Sequence, residues 1–168
     1  MDLLTVFSDH YVASNEALAL EKISKLPRLI GFTLVIVDVS GSMEFPVGNS
    51  ARLTVAAALA AELKARSDSC EVYASAGSDT EKRHQTSPLL YEGFLLLMAL
   101  KRACLDMGGG GMFLKQAEEY VRHYHVRPDR LIIITDEDQD YELKFGKQIY
   151  VVNVLTSTYA ECRSLIGC

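Results

Sequence analysis

The sequence predicts an α/β fold, a doubly wound and mostly parallel central sheet with helices on both faces. Three observations carry that prediction. Short apolar runs at Thr33 to Val37, Arg130 to Thr135 and Gln148 to Val154 lack the alternation of a half-exposed strand and read as strands covered on both faces. Stretches of helical periodicity separate them, which implies right-handed crossovers between parallel strands. Two of the runs end in an aspartate, Asp38 and Asp136, at the end of the strand where parallel sheets hold their ligands.

The elements follow in order. Ser14 to Leu26 places Ala17, Leu18, Leu20, Ile23 and Leu26 at helical spacing, and Pro27 ends the helix. After the first strand, Ala51 to Arg66 is rich in alanine and leucine and predicts a strong helix, with Asn49 or Ser50 as its cap. Glu71 to Ala76 reads as a second strand. Gly77 to Ser87 is polar and leaves room for a short edge strand or hairpin. Leu89 to Cys104 reads as a helix, and the glycine run Gly108 to Gly111 separates it from another at Phe113 to Tyr124. The two remaining strands follow, and Tyr159 to Ile166 reads as a last short helix. Residues 1–28 form a helical lead-in and residues 29–168 the α/β domain.

The totals bound the function. A chain of 168 residues with 49% apolar and 23% charged residues suits one soluble domain. A net charge of −5 argues against gripping DNA or RNA by bulk charge. The four cysteines, Cys70, Cys104, Cys162 and Cys168, show neither a Cys-x-x-Cys pair nor zinc spacing, and read as free thiols of a reducing compartment. The start carries Asp2 without a basic flank, and the longest apolar run, Phe94 to Leu100, is far short of the roughly 20 residues that cross a bilayer. A cytoplasmic location is expected.

The candidate site follows the first strand. Asp38, Ser40 and Ser42 alternate after Val37, with Gly41 letting the backbone fold tightly between the serines. If the strands ending in Asp38 and Asp136 are neighbours, Asp136 faces this loop. Two carboxylates brought close repel unless a cation or proton lies between them. Small oxygen donors converging at a strand end suit a hard cation such as Mg²⁺.

These residues resemble the metal-ion-dependent adhesion site of von Willebrand factor A domains, and most closely the A domain of the Ro/TROVE family of RNA-binding proteins. The resemblance rests on Thr33-Leu34-Val35-Ile36-Val37-Asp38-Val39-Ser40-Gly41-Ser42-Met43, on Asp129 to Glu137, on Tyr150-Val151-Val152-Asn153-Val154, and on the glycine turn before Phe113-Leu114-Lys115-Gln116-Ala117. It implies a Rossmann-like sheet and a binding module rather than an enzyme. Ser40 and Ser42 would be direct ligands of Mg²⁺ or Mn²⁺, and Asp38 and Asp136 direct or water-mediated ones. A protein partner would complete the metal's shell with a carboxylate, within a particle containing a small non-coding RNA. No membrane partner is implied.

The chain departs from that pattern twice. Met112 falls where the family has its last ligand, a threonine, and a thioether is a poor partner for Mg²⁺. Only about 30 residues precede the first strand, where the family carries a ring of helical repeats, so the chain is a free-standing A domain or a piece of a longer protein. A degenerate, metal-free interaction domain is therefore the alternative reading. A Mg²⁺-dependent phosphohydrolase with Asp38 as nucleophile has less support, because Ser40 stands where the leaving-group acid belongs.

Simpler readings cover the other features. The glycine run lacks the Gly-Lys-Ser/Thr of a phosphate loop. Beyond Asp136, the acids Glu137, Asp138 and Asp140 read as a solvated loop. Arg122, His123, His125, Arg127 and Arg130 gather near a helix carboxyl end, where the dipole favours cations. Lys82-Arg83-His84 lies in a polar connection, and none of the histidines His10, His84, His123 and His125 lies near the metal loop in sequence.

Overall fold

Strand β1 (Leu29–Asp38) is the centre of the molecule, buried without interruption from Thr33 to Asp38. The computed structural model describes residues 2–8, 13–78, 83–107, 109–137 and 141–155. Ahead of β1 lie helices α1 (Leu3–Ser8) and α2 (Ala13–Ser24). After it come a short hairpin, β2 (Pro46–Val47) with β3 (Ser50–Ala51), then α3 (Arg52–Arg66), β4 (Ser67–Ser78) and β5 (Arg83–Leu89). The chain continues through α4 (Gly93–Met107), α5 (Leu114–Tyr124), β6 (Arg130–Thr135) and β7 (Gln148–Asn153).

The main sheet has the order β5-β4-β1-β6-β7. Both neighbours of β1 are parallel to it, β7 is parallel to β6, and only β5 runs antiparallel, at the edge. Pro88 sits opposite Tyr73 on that edge strand, where a missing N–H costs little. From β1 the chain builds outward on one side, then returns to place β6 on the other. The order therefore reverses at the β1–β6 boundary, above which Asp38 and Asp136 lie. The doubly wound expectation holds.

Alternation along the strands sorts the side chains into two layers. Val35, Val37, Ile132 and Ile134 face α1 to α4, whereas Leu34, Ile36, Leu131 and Ile133 face α5. Helix α3 is buried from Leu53 to Leu63, packed between the sheet and α1, α2 and α4, which explains why its composition is apolar nearly all round. Leu3, Val6 and Phe7 of α1 join the same core, so the amino-terminal helices are part of the packing around α3. On the α5 side, the fully buried Glu118 holds the segment before β7: it accepts the Tyr141 hydroxyl at 2.7 Å and the backbone N–H groups of Lys144 and Phe145.

Several boundaries differ from the sequence expectation, each for a local reason. Leu89 closes the β5 ladder opposite Val72, so α4 starts at Gly93 and not at Leu89. Gly93 has φ 51°, and the Glu16 carboxylate from α2 accepts the Phe94 N–H at the helix start. Helix α3 is capped by Ala51 without a side-chain hydrogen bond, because Ser50 is used in the β2–β3 hairpin opposite Val47. Cys70 and Cys104 are free thiols, and burial raises both pKa values, that of Cys70 to about 12. Cys162, Cys168 and the expected helix Tyr159 to Ile166 lie outside the described residues. Among the described residues no helix is long and apolar enough to cross a membrane.

Candidate functional site

The parallel pairing of β1 with β6 brings the two strand-end aspartates to one edge, Val37 lying opposite Ile134. Beyond β1 the chain turns through Ser40 into a 3₁₀ turn, Gly41–Glu44. This folds the two serine hydroxyls together: Ser40 Oγ lies 3.0 Å from Ser42 Oγ, and Ser42 Oγ donates to Asp136 Oδ1 at 3.0 Å. Ser40, Ser42 and Asp136 thus form one run of oxygens across the switch point.

Asp38 lies beneath that run and is 0% exposed. Its Oδ1 accepts the Ser40 N–H at 2.8 Å and its Oδ2 accepts the Thr135 hydroxyl at 2.6 Å. Burial pushes its carboxyl above the usual range. The Thr135 and Ser40 hydrogen bonds oppose the rise, and the nearby Asp136 charge adds to it. Asp38 therefore organises the loop from below: its carboxylate fixes the backbone of Ser40 and the tip of β6 together.

The glycine loop closes the other side. Gly41 N–H donates to the Gly109 carbonyl at 2.7 Å, and Gly110 and Gly77 pair as an isolated bridge, with the Gly110 N–H 2.7 Å from the Gly77 carbonyl. A Cβ on Gly41 would lie 2.9 Å from that Gly109 oxygen, so the approach of two backbones requires glycine there. Met112 is 1% exposed and packs with Leu34, Ile36 and Leu114 in the core. The loop therefore supplies backbone and no side-chain oxygen.

A cation does lie at this site, and it belongs to the chain. Arg52, the first residue of α3, donates from Nη1 to Asp136 Oδ2 at 2.5 Å and to the Ser42 carbonyl at 3.2 Å. Its guanidinium sits over the Phe45 ring, 5.7 Å from the centroid. Phe45, beside Arg52, is 60% exposed, and Phe113, beside His84, is 50% exposed. A hollow of about 500 Å³ between β5 and α4, lined by Leu89, Leu95 and Met98 among others, is separate from these residues. The strand-end site is largely buried, with Ser40 2% and Asp136 5% exposed.

No protein-family model and no curated protein matches the chain. Among solved structures it is similar to the Ro (RSR) protein of Deinococcus radiodurans, with a TM-score of 0.53 and 16% identity over 88% of this chain. The fold is von Willebrand factor A-like. The A-like chain covers 36% of that Ro chain, about a third of its length. A second similar structure is an aerotolerance-related membrane protein from Bacteroides fragilis NCTC 9343 with multiple mutations to serines. It has a TM-score of 0.42 and 18% identity, over 66% of this chain and 56% of that one.

All four expected site residues of the A-like domain, Asp38, Ser40, Ser42 and Asp136, come together. Three contributors went unread in the sequence. Thr135 passes for an ordinary strand residue, although its hydroxyl is the contact of Asp38. Arg52 carried a signal: a basic residue in the first turn of a helix opposes the helix dipole and calls for a nearby acid. His84 shares the glycine-loop end of the sheet, opposite Gly77 in the β4–β5 ladder, despite its distance from the metal loop in sequence. Its Nε2 lies 3.3 Å from Ser75 Oγ, its ring meets Phe113 at 5.9 Å, and burial lowers its pKa.

The arginines of the basic cluster have internal uses. Arg127 donates to the Gly146 carbonyl, Arg130 to the Ile30 carbonyl and the Thr33 hydroxyl, and Arg122 lies 3.7 Å from the buried Glu118. Asp138, Asp140, His10 and Lys82 lie outside the described residues.

Proposed function

We propose that this A-like domain is a non-catalytic binding module that docks an acidic protein partner at the strand-end site, through a divalent cation held by Ser40, Ser42 and Asp136. The observation that carries the proposal is the spacing of the oxygens. Neighbouring ligands of a Mg²⁺ octahedron with arms of about 2.1 Å stand about 3 Å apart. The steps from Ser40 Oγ to Ser42 Oγ and on to Asp136 Oδ1 are both 3.0 Å. Two hydroxyls and a carboxylate are hard donors, and the donor set fits Mg²⁺ or Mn²⁺ without the missing threonine.

Bound there, the ion supplies positive charge and a coordination position for a carboxylate. The chain's residues do the rest. Asp38 holds the Ser40 backbone and the β6 tip in register, Gly41 and Gly109 keep the loops in contact, and exposed Phe45 and Phe113 offer apolar area to the partner. A binding role also fits Asp38 better than nucleophilic chemistry, because the carboxylate is fully buried with both oxygens hydrogen-bonded. By resemblance to the Ro/TROVE family, the setting would be a particle containing a small RNA, with this domain as its protein-docking part. The internal uses of Arg122, Arg127 and Arg130 favour that division of labour.

Selection of displayed random peptides in Mn²⁺ and in chelator tests the proposal. The expected outcome is a set of binders that share an essential Asp or Glu, require Mn²⁺ and are lost with Ser42→Ala. Binders that survive both chelator and Ser42→Ala would refute it.

A further inference from the structure

Arg52 has no place in the cation-binding scheme above, yet it makes the closest charged contact to Asp136. Its position needs a cause, because three features oppose it. As the first residue of α3, in a turn that carries no acidic residue, it puts a positive charge at the positive end of the helix dipole. Its Nε is buried and has no hydrogen-bond partner among the described residues. Its side chain is only 16% exposed, so most of the guanidinium's hydration has been given up. The compensation is local: the ion pair with Asp136 Oδ2, the Ser42 carbonyl, and the face of Phe45.

We propose that Arg52 is a tethered counter-cation of the site, one that keeps the Asp136 carboxylate aimed at Ser42 without a metal and against which a divalent ion must bind. The inference rests on the cation-binding reading above. Asp38 and Asp136 bring two formal negative charges and Arg52 returns one. With its Oδ2 on the guanidinium, Asp136 presents Oδ1 to the serines, so the arrangement of oxygens persists while one of the two negative charges is offset. The orphan Nε leaves the seat imperfect, which suits a contact that loosens under competition rather than a permanent rivet. The consequence is a preformed site with reduced affinity for divalent ions, sensitive to whatever draws Arg52 away, such as the carboxylate of a partner.

The test is titration of Mn²⁺ into wild type, Arg52→Met and Arg52→Lys, with free Mn²⁺ read by paramagnetic resonance and folding checked by circular dichroism. Arg52→Met keeps the apolar stem and removes the charge, and is expected to bind Mn²⁺ about tenfold more tightly or better. Arg52→Lys keeps a cation and is expected to stay close to wild type. If Arg52→Met does not fold in chelator, Arg52→Gln replaces it, keeping an N–H donor for the Ser42 carbonyl. Equal Mn²⁺ affinity in wild type and the uncharged variant would overturn the role of Arg52 and leave the cation-binding reading standing. Binding by neither protein would overturn both.

Discussion

At the scale of single residues, the site depends on how closely two loops approach. Gly41 meets the Gly109 carbonyl through its N–H at 2.7 Å, and any Cβ there would press on the same oxygen at 2.9 Å. Backbone on both sides leaves no flexible side chain to give way. Gly41→Ala should therefore destabilise the fold by about 2 kcal/mol, in the range of overpacked or strained substitutions. Urea unfolding checks this, and a loss under a few tenths of a kcal/mol would mean that the loops separate freely. By comparison, Met112 is an ordinary core residue. The absence of a hydroxyl in the glycine loop follows from the sequence and not from a side chain pointing the wrong way.

Among the elements, β1 and β6 carry the site, and their lower ends are tied together as well. Asp129, just before β6, accepts the Phe32 N–H of β1 at 2.8 Å and the Lys147 ammonium, just before β7, at 2.5 Å. The Lys147 hydrogen bond, and then the Phe32 N–H, hold its carboxyl below the ordinary 3.8. A carboxyl depressed in the folded state contributes stability that is present above its unfolded value and lost as the pH falls through its folded one. Asp129→Asn should thus lower stability at neutral pH, with the gap to wild type closing as the pH falls below about 3.8. Urea unfolding across that range measures it, and a gap of constant size would show that the charge of Asp129 plays no part. The strands themselves were legible because uninterrupted apolar runs have few other uses in a short α/β chain. That Asp38 and Asp136 meet was expected only if their two strands were neighbours, and the sheet order makes them so. Elements set by tertiary contacts were not legible. Helix α1 is six residues long and rests on α3 and α4. The start of α4 is decided by a carboxylate from α2, and the apolar run Leu89-Leu90-Tyr91 disguised the end of an edge strand as helix. Arg52 hid in the same way, as one polar residue opening an alanine-rich helix.

For the molecule as a whole, the sheet order places both carboxylates at the reversal beside its central strand, and the rest of the chain fixes that edge. The packing around α3 braces the Arg52 end of the site, and Glu118 braces the stretch from Tyr141 to Phe145 that leads into β7. The result is an A-like scaffold with a small, largely buried polar centre and the exposed Phe45 beside it. On the proposed function, the polar centre takes a divalent cation. A cation that binds only the folded state stabilises it by about 2.7 kcal/mol at a hundred times its dissociation constant. For a domain of this size that is a rise of several degrees in unfolding temperature. The decisive measurement is thermal unfolding of wild type and Ser42→Ala in Mn²⁺ and in chelator. The expected result is a rise with Mn²⁺ in wild type that Ser42→Ala removes. Identical unfolding of wild type in Mn²⁺ and in chelator would rule out the cation and leave Arg52 as the positive charge beside Asp136.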